Sequence, residues 1–399
     1  MTVHLIQLPK PQTNGYATLA LYVATSIFDE PEGYAGINHL LEHVLASNNN
    51  IDKSVGKKGL EHNAETHGGY VRYWFSTPPD HFKFCLDFLL KISSNPTFNH
   101  VEREKKAVRQ ELLSLLQDPD YHSDLLVIEK LFPDSGFSRG QDASIMLKTL
   151  DKLTPKTLKK YYEDYYKNRM FIVISGGPQV PGAKKINKVE TISSIPSMAI
   201  PTQKCFHISR PEISKTECKI VFYNKNVGCN PTTIRDRITL ATRILAGGLD
   251  SLLYRVLREK LNLVYSVSCN SEVEPYGILI EISWSCDTGK VVKSVGAIFS
   301  VLKKFETVHY DGHKNLFLER LVRDNLLTSQ DIVEIYGDSL VTWGYYTEVN
   351  DILKGVKKIE PKSVKEVVKN YMVPKNSLFV EMSSRSSGVM TDSKYTSLF

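Results

Sequence analysis

Apolar and polar positions along the chain change period several times, and each change marks an element. Residues 3–8 and 16–25 read as strands, the second alternating apolar with small side chains. A helix is predicted from about 36 to 46, and a β-rich stretch around 70–77. Helix periodicity begins near Pro79, where Phe82, Cys85, Leu86, Leu89 and Leu90 recur on one face. A long helix over 101–117 meets a stop signal at Asp118-Pro119. Thr154-Pro155 opens another, with Thr as cap and Pro in the first turn. Residues 170–175 form a short apolar strand.

Between 176 and 203 the pattern lapses: Pro178, Pro181, Pro196 and Pro201, the pair Gly176-Gly177, several serines. Beyond it the order of elements is repeated in outline. A strand at 218–223 leads to a helix at 232–246. Gly247-Gly248 interrupts before a helix to Lys260, strands follow at 264–269 and 278–283, then several helices and a last strand at 378–382. The predicted fold class is α+β: two halves, each with helices packed on a mainly antiparallel sheet. The domains are placed at 1–180 and 204–382, joined by a linker at 181–203. The serine-rich 383–399, without apolar periodicity, reads as a mobile tail.

Composition narrows the function classes. The chain has 399 residues, 42% hydrophobic and 24% charged, enough for more than one core without a disulfide framework. A net charge of +6 is a mild bias, and the pairs Lys57-Lys58, Lys105-Lys106 and Lys303-Lys304 stand isolated on mixed segments. No basic run interleaved with aromatics points to nucleic acid. Six cysteines (Cys85, Cys205, Cys218, Cys229, Cys269, Cys286) form no CxxC pair and lie mostly in apolar contexts, where a free thiol behaves as a small hydrophobe. No stretch approaches the ~20 apolar residues of a membrane span. The opening residues lack the pattern of a secretory leader, so a cytoplasmic location is expected.

The chemistry concentrates at His39-Leu40-Leu41-Glu42-His43. Four residues apart on a helix, the two imidazoles share a face. Two converging nitrogens begin a zinc site. Glu42 is placed to take a proton from a water that the metal acidifies. A third ligand has to come from another element. The helix over 101–117 offers Glu104 and Glu111, seven apart and so on one face. Glu111 adjoins Leu112, Leu113, Leu115 and Leu116, where an unpaired carboxylate is costly, and a metal would account for it. Glu104 is then placed to support a ligand histidine. The five residues match the inverzincin pattern H-x-x-E-H.

The surroundings carry a resemblance. Phe28-Asp29-Glu30-Pro31-Glu32-Gly33-Tyr34-Ala35-Gly36-Ile37-Asn38, running into the motif, resembles the pitrilysin-type zinc metallopeptidases, the family of insulysin and the mitochondrial processing peptidase. Asn63-Ala64-Glu65-Thr66 is similar to the family's Asn-Ala-x-Thr, and Glu104 to Glu111 looks like its paired glutamates. Gly247-Gly248-Leu249-Asp250-Ser251, then Leu257-Arg258-Glu259-Lys260 and Leu263-Val264-Tyr265-Ser266, resembles the block that carries an Arg and a Tyr seven apart. The resemblance implies two homologous halves facing each other around a chamber, and zinc on His39, His43 and Glu111 with Glu42 as general base. It also implies that Tyr265 and Arg258 hold the substrate backbone and stabilise the oxyanion. Asn63 and Ala64 would border an edge strand that accepts an extended peptide. Two departures, a short interval between His43 and Glu111 and the absence of the usual Phe-x-Gly-Thr at Ala46-Ser47-Asn48-Asn49-Asn50, touch substrate choice rather than the ligands.

The function expected is zinc-dependent endopeptidase action on short or unfolded peptides, including maturation of a small precursor. By size the chain resembles the short two-domain bacterial type, which implies a homodimer or a heterodimer with a related chain. The competing reading is a subunit that binds peptides without cleaving them alone. A structural zinc site is disfavoured, since such sites close on four protein ligands and the sequence offers three plus a base.

Overall fold

A computed structural model describes residues 3–8, 15–47, 51–133, 135–184, 186, 188–189, 195–225 and 231–398. Cys229 and Asn48 to Asn50 lie outside them. The chain divides into two compact units. The first comprises 1–121, 134–196 and 322–347, and the second 122–133, 197–321 and 348–399. The linker is thus one of several places where the backbone changes unit, and neither unit is a continuous half of the sequence.

The first unit is built on a five-stranded sheet: β1 (His4–Leu8), β2 (Ala17–Val23), β3 (Glu61–Thr66), β4 (Val71–Thr77) and β5 (Met170–Ser175), in the order β1-β5-β2-β4-β3. Only β1 and β5 run parallel. Every residue of β2 is buried, because both sheet faces are covered. Ala17, Leu19, Leu21 and Val23 enter one core with Leu40, Leu41, Val44 and Leu45 of helix Ile37–Ala46. Ala20 and Tyr22 enter another with Val333, Tyr336, Leu340 and Val341 of helix Ser329–Trp343. Gly337 lets that helix lie flush on Tyr22, whose ring and hydroxyl occupy the space a Cβ would need. The Tyr22 hydroxyl donates to Asp338 Oδ1 at 2.9 Å or to the Val333 carbonyl at 3.2 Å.

The second unit repeats the topology strand for strand. β6 (Cys205–Ser209), β7 (Thr216–Asn224), β8 (Val264–Glu274), β9 (Gly277–Cys286) and β10 (Ser377–Ser383) are ordered β6-β10-β7-β9-β8, again with one parallel pair, β6 with β10. Helix Pro231–Ala246 follows β7 as helix Ile37–Ala46 follows β2. The same wiring is written in different residues, as the element order implied.

Several local expectations change. The helix over 101–117 ends at Leu115, and Asp118-Pro119 starts a new helix, Pro119–Leu131, with the Asp118 carboxylate accepting from the Asp120 N–H at 2.9 Å. Residues 384–398 are no loose tail. Thr391 caps helix Asp392–Thr396, Tyr395 is fully buried against Phe299 and Phe379, and its hydroxyl meets that of Ser377 at 2.7 Å. The buried Glu381 accepts the backbone N–H groups of Val389 and Met390, and Asp392 accepts those of Lys204 and Cys205. A serine-rich segment needs few apolar residues when the backbone it covers supplies partners. Cys85, Cys205, Cys218 and Cys286 are buried thiols, while Cys269 is only partly covered.

Candidate active site

Helix Ile37–Ala46 is fixed before its chemistry begins. Gly36 takes a left-handed conformation (φ 83°) as the residue before the first turn, and a Cβ there would press on Met146 at 3.1 Å. The capping role falls to Glu30, whose buried carboxylate accepts the N–H groups of Gly36 (2.8 Å) and Asn38 (3.1 Å). Burial pushes the Glu30 carboxyl up to about 7 against the pull of those two donors. The Asn38 amide in turn donates to the Ser26 carbonyl at 3.1 Å. Ile37, Leu40, Leu41, Val44 and Leu45 point into the core, which turns His39 and His43 outward together.

His39 and His43 stand with ring centroids 4.9 Å apart. Helix Val101–Leu115 brings Glu111 between them: its Oε2 lies 3.2 Å from His39 Nε2 and 3.3 Å from His43 Nε2. The hydrogen bond from His39 holds the Glu111 carboxyl below the usual range. Donors at ~2.0–2.2 Å from a tetrahedral zinc stand ~3.3 Å from one another. The two separations to Glu111 are of that size, and two imidazoles with a carboxylate are donors that zinc takes. The apolar run around Glu111 does not bury it, however; its side chain is 51% exposed, and Leu113 and Leu115 are exposed too. What places it is the register of the helix, with Val101, Glu104, Lys105, Val108 and Leu112 forming the buried stripe. Glu104 is buried 3.7 Å from His43 Nδ1, beyond hydrogen-bond length, and is fixed by Arg103 at 2.6 Å.

Glu42 is the buried member, 6% exposed. One ligand atom each of His39, Glu42 and His43 lies within 4.8 Å of the others, the one such grouping among the described residues. Burial pushes its carboxyl up to about 7, countered by His43 and by the Thr66 hydroxyl, which donates to Glu42 Oε2 at 3.2 Å. A cation held by the two imidazoles would pull it down again. Thr66 ends β3, the edge of its sheet among the described residues, so Asn63 and Ala64 sit on a strand edge that runs to Glu42.

Tyr265 and Arg258 belong to the second unit. Tyr265 opens β8, 43% exposed; its hydroxyl donates to Asp287 Oδ1 at 2.6 Å, and the Lys215 ammonium lies 3.3 Å from its ring centroid. Arg258 is in the π-helical segment Tyr254–Lys260 with its guanidinium over Tyr254. Sequence reasoning did not find Glu30, Thr66 or Arg103 as supports of the site. The first two lay inside the quoted stretches, but nothing in their spacing announced a partner.

Comparison with known proteins points to one family. The profile of Insulinase (Peptidase family M16) matches residues 6–137, and that of the Peptidase M16 inactive domain matches 152–307. The zinc protease YmxG of Bacillus subtilis is 26% identical over 65% of this chain and 66% of its own. The zinc protease SCO5738 of Streptomyces coelicolor is 22% identical over 91% and 84%. Protease 3 of Escherichia coli is 24% identical over 81% of this chain, which spans only 37% of that protein. Among solved structures, a Helicobacter pylori protease shares the fold over 96% of this chain and 98% of its own, with a TM-score of 0.81 at 14% identity. Pitrilysin shares it over 98% and 46%, with a TM-score of 0.72 at 20% identity.

Proposed function

The chain belongs to the M16 family of insulinase-type peptidases, and from that premise we propose that it is a zinc-dependent endopeptidase acting on short or unfolded peptides, a small precursor among them. One observation carries the reading: the Nε2 atoms of His39 and His43 converge on a single oxygen of Glu111, with the buried Glu42 beside them. His39, His43 and Glu111 would hold the metal, and Glu104 would steady His43. Zinc, when bound, lowers the pKa of a water and polarises the scissile carbonyl. Glu42 would accept a proton from the attacking water at a carboxylate kept from bulk solvent and aimed by Thr66, and would return it to the leaving amine. An extended peptide adds along β3 at Asn63 and Ala64, so main-chain bonds grip it in register with Glu42. Tyr265 and Arg258 would steady the substrate's backbone carbonyl. A homodimer, or a pair with a related chain, is the assembly this reading expects.

A second reading is a subunit that binds peptides and cleaves only with a related partner. One observation favours it: the single proton of the Tyr265 hydroxyl is already given to Asp287. Both readings meet in one experiment, a quenched fluorescent peptide library incubated with the purified chain, with and without chelator, beside Glu42→Gln and His39→Ala. Under the first, turnover needs zinc, Glu42→Gln keeps the metal but loses about 10²–10⁴ in rate, and His39→Ala loses the metal. Turnover only after a related chain is added supports the second. Turnover indifferent to chelator and to Glu42→Gln refutes the mechanism.

A further inference from the structure

Among the described residues β3 has a neighbour on one side only, and its sequence, Glu-His-Asn-Ala-Glu-Thr, has little apolar content to anchor it. A strand of this kind frays unless its side chains are tied. On one face Ala64 packs against the core and Thr66 reaches Glu42. The other face, where Asn63 and Glu65 project beside Trp74 and Arg72 of β4, is tied by a single carboxylate. Glu65 Oε1 accepts the Asn63 amide at 3.0 Å and the Trp74 indole N–H at 3.4 Å. Its Oε2 accepts the Arg72 guanidinium at 2.5 Å and lies 3.2 Å from His67 Nε2. With so many donors directed at it, the carboxylate has little capacity left for a ligand. Arg72 is 7% exposed and continues to Glu334 and Asp338 of helix Ser329–Trp343, each at 3.4 Å. The edge strand is therefore pinned through one buried guanidinium to the helix behind the sheet.

We propose that Glu65, locked by Arg72, is the positioning residue of the peptide-accepting edge: it holds β3 flat and in register, so that a peptide adding to the strand meets a ready edge. The proposal rests on the reading of β3 as the substrate strand. Pre-organisation of this kind changes how tightly the long part of a substrate is held, and leaves the bond-breaking step alone. Losing the charge at Glu65 leaves Arg72 its pairs with Glu334 and Asp338, so the helix stays docked while the strand loosens.

The test uses the zinc-loaded full chain and two quenched peptides with the same cleavage site. One is confined to the residues around the scissile bond, and the other is long enough to pair along β3. For Glu65→Gln, KM on the long peptide rises about tenfold, the loss of roughly one well-ordered contact, with kcat within about twofold. The short peptide is unaffected. Amide hydrogen exchange quickens across 61–66 and is unchanged across 37–46. Trp74→Phe, which removes one donor and keeps the ring, gives the same pattern at about two- to threefold and serves if Glu65→Gln does not fold. Equal effects on both peptides, or unchanged KM with unchanged exchange in β3, overturn the proposal. Should the wild type itself show no zinc-dependent turnover, the peptidase reading fails instead. The exchange of β3 then decides the role of Glu65 alone: quickening across 61–66 supports it, and none overturns it.

Discussion

Replacing Gly337 by Ala should destabilise the first unit, although Ala is ordinarily the better helix residue. The added Cβ would overlap the ring and hydroxyl of Tyr22, which is fully buried, stacked on Phe171 at 5.4 Å, and bonded to Asp338. Overpacking of this kind costs about 2 kcal/mol. Displacing the hydroxyl forfeits about 1 kcal/mol of hydrogen bonding. The intrinsic gain from Gly to Ala in a helix returns about 1 kcal/mol. The net, about 2 kcal/mol, is a factor of ~30 in the opening equilibrium. Amide exchange in helix Ser329–Trp343 and β2 reads it directly, the expected result being protection lowered by that factor in both. Tyr22→Leu combined with Gly337→Ala should cost less than the two changes summed, because the smaller side chain makes room for the methyl. A Gly337→Ala protein as stable as wild type, or more so, would refute the account of how this helix seats.

Gly36→Ala meets both a left-handed backbone and the Met146 side chain, so a loss of about 1–2 kcal/mol is expected, visible as a lower melting temperature. Glu30 predicts a pH dependence. Its folded pKa is raised from 4.5 to about 7, so the folded state binds the extra proton. Its contribution is complete below pH ~4.5, declines as pH rises through about 7, and amounts to about 3 kcal/mol across that window. In Glu30→Gln the decline between pH 5 and 7 should become shallower than in the wild type, the remainder coming from Glu42 and Asp236, whose carboxyls burial also raises. Ending the chain after Ser383 strips the N–H donors from the buried Glu381 and uncovers Phe299 and Phe379, so dye-binding, aggregation-prone protein is expected on expression.

How much of this was legible in the sequence follows from where each residue finds its partners. His39, Glu42 and His43 fall within five residues on one helix, and Glu104 and Glu111 share another, so spacing put each set on one helix while the resemblance gave the set its roles. Buried strands such as β2 and β5 were legible as short apolar runs, because both sheet faces are covered, whereas the strand order was not. β3 was invisible to alternation, being a polar edge held by ties to Arg72 and Glu42. Tyr395 is one aromatic in a serine-rich run, too little to signal a docked helix. Helix Ser329–Trp343 was legible as a helix but not as a member of the first unit, because Thr18 and Ser329, whose hydroxyls meet at 2.7 Å, are 311 residues apart.

That separation has a consequence for synthesis. At roughly 5–20 residues per second, a ribosome releases β2 about fifteen seconds to a minute before the helix that covers Tyr22, Phe171 and Val173 has been made. Through that interval the nascent sheet presents an apolar face with no cover, a surface chaperones bind and neighbouring nascent chains stick to. A gene fragment stopped at the linker would make that interval permanent. The first unit can therefore mature only after helix Ser329–Trp343 has been made, which ties the assembly of the candidate site to a segment far downstream of the helix that carries it.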